Sequence, residues 1–375
     1  MNRVPDHIVA DVKSRADLLG MVRRRVKLST AGRGEMVGLC PFHNEKSGSF
    51  RYYPERGGHF HCFGCGAHGD AIGWVMRTDR LDFPAAVRHL AGVLGLDASA
   101  PVDPEAAARR AAEDAARDAA WRAQMEAEEA ETVAKAQALW ARGQTAAGTI
   151  VDQAYLPSRC ITLAAPPSLR FLGAHGYWKP GRTRRERPIL LGRYPVMLGG
   201  VQGPDGRVRG IHQTYLRADG SGKADVPKAK KMGGKCFGGA VRFDRAAESM
   251  GFAEGIETAL SVKQSCPDLA VWAALSLGNL SGGALDRGPR HPTKPDTYLP
   301  GTKPDPARPG LLPPAGCRTI TLLTDSDNGD PLAAERLVRC AARRYSDLGL
   351  RVRIAPAPEG MDWNDVLRAS QKVAA

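Results

Sequence analysis

Two residue pairs constrain this 375-residue chain more than anything else in it. Cys40-Pro41-Phe42-His43 is followed, eighteen residues on, by Cys62-Phe63-Gly64-Cys65. A two-residue gap lets both members of a pair grip one metal ion at about 2.0–2.3 Å. Three thiolates and one imidazole fill a tetrahedron, so a zinc ion held by Cys40, His43, Cys62 and Cys65 has no open position and is structural, not catalytic. Gly64 and Gly66 give the backbone the freedom that such a knuckle needs. His59, His61 and His68 stand nearby and are expected behind the ligands or on the surface. The remaining cysteines, Cys160, Cys236, Cys266, Cys317 and Cys340, stand singly and are expected as free thiols of a reducing compartment.

The segment around these ligands reads as one small zinc-ribbon-like domain, residues 1–97. Helices are expected over Val4–Arg15, Arg15–Arg25, Asp70–Met76 and Phe83–Leu94, the last capped by Asp82 with Pro84 in its first turn. Strands are expected between Val26 and Phe63. Within them Phe50-Arg51-Tyr52-Tyr53 alternates as a hairpin would, with Lys46, Arg51 and Arg56 among the rings. Such rings either stack on unpaired bases while the cations take phosphates, or fill a small core; both readings stand for Phe50, Tyr52 and Tyr53.

Residues 98–145 are rich in Ala, Glu and Arg and read as a solvated helical linker over Ala106–Trp140, anchored only by Trp121, Leu139 and Trp140. Residues 146–245 read as a mixed α+β subdomain of short strands broken by Gly and Pro. From residue 246 strands and helices alternate: Ser249–Ala253, Ile256–Gln264, Ala270–Leu275, Arg318–Thr324, Pro331–Leu348 and Arg351–Ala355. That alternation implies a Rossmann-like parallel sheet with crossover helices over 246–375. A proline-rich stretch, Gly288–Pro314, interrupts it and is expected as a surface insertion. The fold class is therefore multidomain, α+β and α/β.

Charge is concentrated. The chain carries a formal net charge of +13, and residues 146–245 alone carry +12. Even solubilisation would not collect it there, and a polyanionic partner would. Arg207, Arg209, Lys228, Lys230, Lys231 and Lys235 are the candidate nucleic-acid contacts of this segment, with Lys46 and Arg51 in the zinc domain. Asp219-Gly220-Ser221-Gly222-Lys223-Ala224 lacks the first glycine and the final Ser or Thr of an ATP-binding P-loop and reads as a hairpin turn. No apolar run approaches the roughly 18 residues of a membrane span. The N-terminus shows no signal-peptide core, and a cytoplasmic location is expected.

A second cluster is acidic. Glu254 falls where a strand gives way to a helix, Asp325 and Asp327 at the end of the next long strand, and Asp362 and Asp365 after the last. Sites of open parallel sheets lie beyond the carboxyl ends of the strands. Carboxylates converging there repel one another, and a divalent cation with oxygen ligands, Mg2+ or Mn2+, resolves the repulsion. One or two such ions would align a nucleoside triphosphate and activate an attacking hydroxyl.

Cys40-Pro41-Phe42-His43-Asn44-Glu45-Lys46-Ser47 and His61-Cys62-Phe63-Gly64-Cys65-Gly66-Ala67-His68-Gly69-Asp70 resemble the N-terminal zinc-binding domain of DnaG-type bacterial primases. The departure is Ser47-Gly48-Ser49-Phe50, where the family shows Ser-Pro-Ser-Phe. The resemblance implies recognition of template DNA by residues 1–97. Glu254 with Asp325-x-Asp327 resembles the Toprim domain of primases and topoisomerases, and Ala274–Gly278 its loop after the second strand. Asp205–Gly210 and Val226–Gly239 resemble the N-terminal half of the primase core. Taken together these imply a primase that joins nucleoside triphosphates on single-stranded DNA, with Glu254, Asp325 and Asp327 as catalytic metal ligands assisted by Asp362 and Asp365. Any replicative helicase would be a separate protein. The rival readings are a Toprim-type nuclease or topoisomerase-like enzyme, the latter needing a nucleophile among Tyr155, Tyr177, Tyr194 and Tyr215, and a non-catalytic DNA-binding accessory protein.

Overall fold

The computed structural model describes residues 4–32, 35–43, 48–54, 58–62, 65–96, 104–179, 188–286, 288–294 and 298–374. Lys46, Arg56, Phe63 and Gly64 lie outside them, as does the side chain of Trp121. The chain divides into two compact units, 1–127 with 180–188, and 128–179 with 189–375.

In the first unit α1 (Asp6–Arg15) starts later than expected, because Pro5 occupies the cap position with extended backbone and disfavours a helical Val4 before it. α2 (Leu18–Arg23) is shorter than the expected Arg15–Arg25. Ala16 is extended, and the Asp17 carboxylate accepts from the Gly20 N–H, starting a new helix there. An antiparallel sheet follows in sequential order, β1 (Ser29–Gly32), β2 (Glu35–Gly38), β3 (Phe50–Tyr53), β4 (His59–Cys62) and β5 (His68–Gly69). Helices α3 (Ala71–Asp79) and α4 (Phe83–Leu94) close the unit; Asp82 accepts from the Ala85 N–H, and Pro84 sits in the first turn. Ile8, Val12, Val87 and Leu90, at helical spacing, pack with the sheet into one core. Phe50, Tyr52 and Tyr53 are buried in this unit, so the core reading of these rings is the one the structure supports.

Helix α5 (Pro104–Arg142) is followed by a ten-stranded sheet. Its antiparallel part comprises β6 (Gln144–Thr145), β7 (Leu169–Lys179), β8 (Ile189–Gln202), β9 (Val208–Tyr215), β10 (Lys230–Gly234) and β11 (Ala240–Arg242). One π-turn, Val151–Tyr155, runs into the short α6 (Leu156–Ser158) ahead of β7. Trp140, at the end of α5, lies flat against Gly200, where any Cβ would come within 3.0 Å of the indole.

The parallel part comprises β12 (Ser249–Ala253), β13 (Ala270–Ala273), β14 (Thr319–Thr324) and β15 (Arg351–Pro356), in the order β13-β12-β14-β15. β11 pairs with β8 on one side and β13 on the other, so a single sheet runs across position 245. Helices α7 (Ile256–Ser265), α8 (Leu277–Ser281), α9 (Pro331–Asp347) and α10 (Trp363–Ala374) complete the unit. The alternation along the strands assigns the faces. Ala253, Val271, Ala273 and Leu323 join Ile256 of α7 and Leu367 of α10 in one core, while Met250, Phe252, Trp272, Ile320 and Leu322 join Tyr345 of α9 in another.

The proline-rich stretch is a correction. Gly288–Pro314 is no simple surface insertion, because Leu299 and Leu311 within it are buried. The buried Arg344 guanidinium of α9 donates to the carbonyls of Ser281, Gly283 and Asp305 at 2.6–3.0 Å, and the Tyr345 hydroxyl donates to that of Leu311 at 2.8 Å. Chain without sheet or helix pairing still needs partners for its carbonyls, and α9 supplies them.

Candidate zinc site and acidic cleft

The hairpin β3–β4 and the turn into β5 bring Cys40, His43, Cys62 and Cys65 together, with one ligand atom from each all within 4.8 Å of one another. Cys40 and Cys65 sulfurs are 3.7 Å apart, and Cys62 Sγ is 3.6 Å from His43 Nδ1. Tetrahedral zinc with bonds of about 2.3 Å to sulfur and 2.0–2.1 Å to nitrogen requires spacings of roughly 3.5–3.8 Å, so the donors fit zinc. The Phe42 N–H donates to Cys40 Sγ, and the Ser49 hydroxyl lies 3.0 Å from Cys62 Sγ. Gly66, at φ +68°, turns the chain so that its N–H reaches the Cys62 carbonyl. Behind the ligands Phe42, Phe50, Phe60 and Trp74 pack with ring centroids 5.2–5.9 Å apart and keep water off that side. His68 turns its Nδ1 to the Gly66 carbonyl rather than to the metal position.

In the second unit Glu254 follows β12 and Asp325 follows β14, its immediate parallel neighbour. Glu254, Asp325 and Asp362 line one cleft, with the N-terminus of α7 at its floor. Oε2 of Glu254 is buried and has no hydrogen-bond partner among the described residues. Burial, then the charges of Asp325 and Asp327, push the Glu254 carboxyl up to about 7. Burial likewise pushes Asp325 up to about 6, with Asp362 and Asp327 adding to it, although the Thr258 hydroxyl donates to both its oxygens at 3.0 and 3.2 Å. These acids are held together at a cost that a cation would remove. Their all-oxygen set suits Mg2+ or Mn2+ rather than zinc.

The other two expected acids are placed differently. Asp327 is exposed, near enough for its charge to act on Glu254 and Asp325. Asp362 and Asp365 cap the first turn of α10 reciprocally, the Asp365 N–H donating to Asp362 Oδ1 at 2.7 Å, and Asp365 also lies 3.7 Å from Arg368. Leu275, a non-glycine residue at φ +71°, lines the cleft ahead of α8.

The expected basic contacts divide by surroundings. Arg209 pairs with Asp205 at 3.2 Å and Lys235 with Glu129 at 2.5 Å. Lys231 sits 3.5 Å above the Tyr177 ring, and Lys230 reaches into the cleft. Arg207 and Lys228 are exposed, and Arg51 is half-buried on β3. Arg159, Lys223, His212 and Glu257 also line the cleft, and motif reading missed the first three as site residues. Asp219–Lys223 is a turn, with Gly220 at φ +72° and the Ser221 N–H on Asp219, and it delivers Lys223 to the cleft wall. Of the tyrosines weighed as nucleophiles, Tyr155, Tyr177 and Tyr215 are buried and Tyr194 half-buried, so none stands ready for a DNA strand.

Residues 4–105 match the CHC2 zinc finger family, and residues 130–243 match a domain of unknown function, DUF7146. A DNA primase of Pasteurella multocida is 44% identical over 94 residues, 25% of this chain and 16% of that protein. A DNA primase of Myxococcus xanthus is 43% identical over 117 residues, 31% of this chain and 19% of that protein. The chain therefore covers less than a fifth of the length of these relatives. The zinc-binding and RNA polymerase domains of the Aquifex aeolicus primase align with 98% of this chain and 83% of that one, at 16% identity and a TM-score of 0.34.

Proposed function

We propose that this chain is a DNA primase, laying down short primers on single-stranded DNA from nucleoside triphosphates. The observation that carries the reading is the pairing, in one chain, of a CHC2 zinc module similar to that of primases with a cleft in which the buried Oε2 of Glu254 has no hydrogen-bond partner among the described residues and lies in the charge field of Asp325. Within it, residues 1–97 hold the template, 98–145 link, 146–245 form the basic half of the core and 246–375 its Toprim half.

Glu254, Asp325 and Asp327 would hold the divalent cation, with Asp362 beside them. A bound Mg2+ or Mn2+ supplies charge that offsets the phosphates and makes the attacking hydroxyl easier to deprotonate. The protein does the rest. Thr258 and the Asn328 amide, which donates to the Asp325 carbonyl at 2.8 Å, fix Asp325 in place. The carboxylate of Glu254 accepts the proton of the attacking hydroxyl as the hydroxyl oxygen bonds to the α-phosphorus, and the bond from that phosphorus to the pyrophosphate oxygen breaks, releasing pyrophosphate. Arg207, Lys228 and Lys231 take template phosphates, joined in the zinc module by Arg51 and Lys46. A cytoplasmic setting with a separate helicase fits this reading.

The test is template-dependent synthesis with labelled nucleotides, single-stranded DNA and magnesium or manganese. Short products from the wild type, absent from an Asp325→Ala/Asp327→Ala variant, are expected. Metal-dependent cleavage of the DNA without nucleotide incorporation would replace the primase with a nuclease.

A further inference from the structure

Glu257 lies one turn into α7 and is 4% exposed, yet the chemistry above gives it no part. Its Oε1 accepts from the Tyr155 hydroxyl at 2.7 Å and lies 3.3 Å from Lys223 Nζ. Its Oε2 accepts from Lys230 Nζ at 3.2 Å. Burial alone would push this carboxyl up, but Lys230, Lys223 and Tyr155 outweigh it and hold Glu257 well below the usual carboxylate range. It is a fixed anion at the root of the cleft.

The two lysines arrive from separate places, Lys223 from the end of the Asp219–Lys223 turn and Lys230 from the first residue of β10. Two ammonium groups that both approach one carboxylate would repel each other without it. With it they stand side by side on the cleft wall, joined there by Arg159. His212, buried between, is pushed down to about 4 by burial and by Lys230, so it stays neutral and adds no charge at pH 7. Three cations against one carboxylate leave this wall with two surplus positive charges. The same cleft is also lined by Glu254, Asp325 and Asp362, close enough for Lys230 to act on Glu254 and Asp362 on Arg159. A cleft lined by both cations and acids has what a metal-bound polyphosphate needs: cations for the phosphate oxygens, acids for the metal.

We propose that Glu257 is a positioning residue that, anchored by Tyr155, holds Lys223 and Lys230 as a paired phosphate grip for the triphosphate of an incoming nucleotide. This rests on the reading of the cleft as a nucleotide-joining site, though its test does not require synthesis. Lys223 and Lys230 touch the phosphates; Glu257 acts through them.

The experiment is calorimetric titration of the full chain with ATP, ADP and AMP in magnesium. Wild-type affinity should rise with each added phosphate. In Glu257→Gln the ladder should flatten, ATP binding falling by about tenfold while AMP binding changes little, the size expected for losing a charge-assisted arrangement. A purely structural role would lower all three nucleotides together and would overturn the proposal. Lys223→Met and Lys230→Met leave no bare carboxylate, since each keeps the other lysine and Tyr155, so they read the grip even if the Gln variant fails to fold. Each should weaken ATP more than AMP; unchanged ATP binding in both overturns the proposal, as does a wild type blind to phosphate number. Primer synthesis, measured alongside, reports separately on the primase reading.

Discussion

The zinc module and the acidic cleft both gather charged ligands for a metal, but they are built in opposite ways. In the module the ligands come from hairpins and turns of only a few residues, and the surrounding sheet strands are two to four residues long. The core of the module lies among its helices and sheet, while the ligands sit on short turns that only a shared metal draws together, so the metal contributes to its stability. In the cleft the acids sit at the ends of strands whose neighbours pack two cores, and the sheet needs no metal to stand. The first site spends its metal on folding and leaves it no free position. The second leaves Oε2 of Glu254 without a partner among the described residues. A closed site reports on architecture, and an open one on chemistry.

The largest effect expected from this contrast is Cys62→Ser. Zinc binding in small modules contributes an apparent ~10–16 kcal/mol, far above the stability of a domain this size. Amide hydrogen exchange should show β3 and β4 losing protection while β12 and β14 keep it; protection retained in both would dissolve the distinction.

Glu254→Gln should do the reverse. Synthesis should fall by about a hundredfold or more, the scale of losing one group that stabilises charge in the transition state. Stability of the zinc-loaded, magnesium-free protein should rise at pH 8. Glu254 is raised to about 7 from an ordinary 4.5, so the folded state binds the proton more tightly than the unfolded one. The contribution of Glu254 to wild-type stability, fully present below about 4.5, therefore falls as pH climbs through 7, and the Gln variant escapes that fall by about 1–3 kcal/mol. Thermal melting across pH 4–8 with and without magnesium checks this; magnesium should flatten the wild-type curve.

Tyr155→Phe is a smaller probe. It removes a 2.7 Å hydrogen bond to a buried carboxylate, and a shift in urea midpoint worth about 1–2 kcal/mol is expected. No shift would mean that the lysines alone support Glu257. Smallest is Arg207→Ala. If this exposed residue contacts a phosphate, the slope of log affinity for single-stranded DNA against log salt should lessen by about 0.7, with little change in sequence preference.

Legibility followed the distance over which each signal acts. Cys-x2-His and Cys-x2-Cys are local, so the spacing alone named the ligands. Asp82 with Pro84 marked the start of α4, and Ser249–Ala253 was readable as a strand end to end. Asp17 started the second expected helix at Leu18 rather than Arg15, a capping preference that apolar periodicity hides. The surroundings of Glu257 had no local sign at all: Tyr155 lies 102 residues away in sequence, and Lys223 sits in a turn that reads only as a turn. The burial of Leu299 and Leu311 was equally hidden, since it depends on Arg344 and Tyr345 far along the chain. Phe50, Tyr52 and Tyr53 could be read either way because aromatic alternation looks the same facing a base or a core.

The most direct test of the open site is manganese binding, followed by electron paramagnetic resonance on zinc-loaded protein. The account predicts Mn2+ binding by the wild type, lost in Asp325→Ala/Asp327→Ala with zinc content unchanged. Equal binding in both proteins, or none in the wild type with its zinc in place, would contradict it.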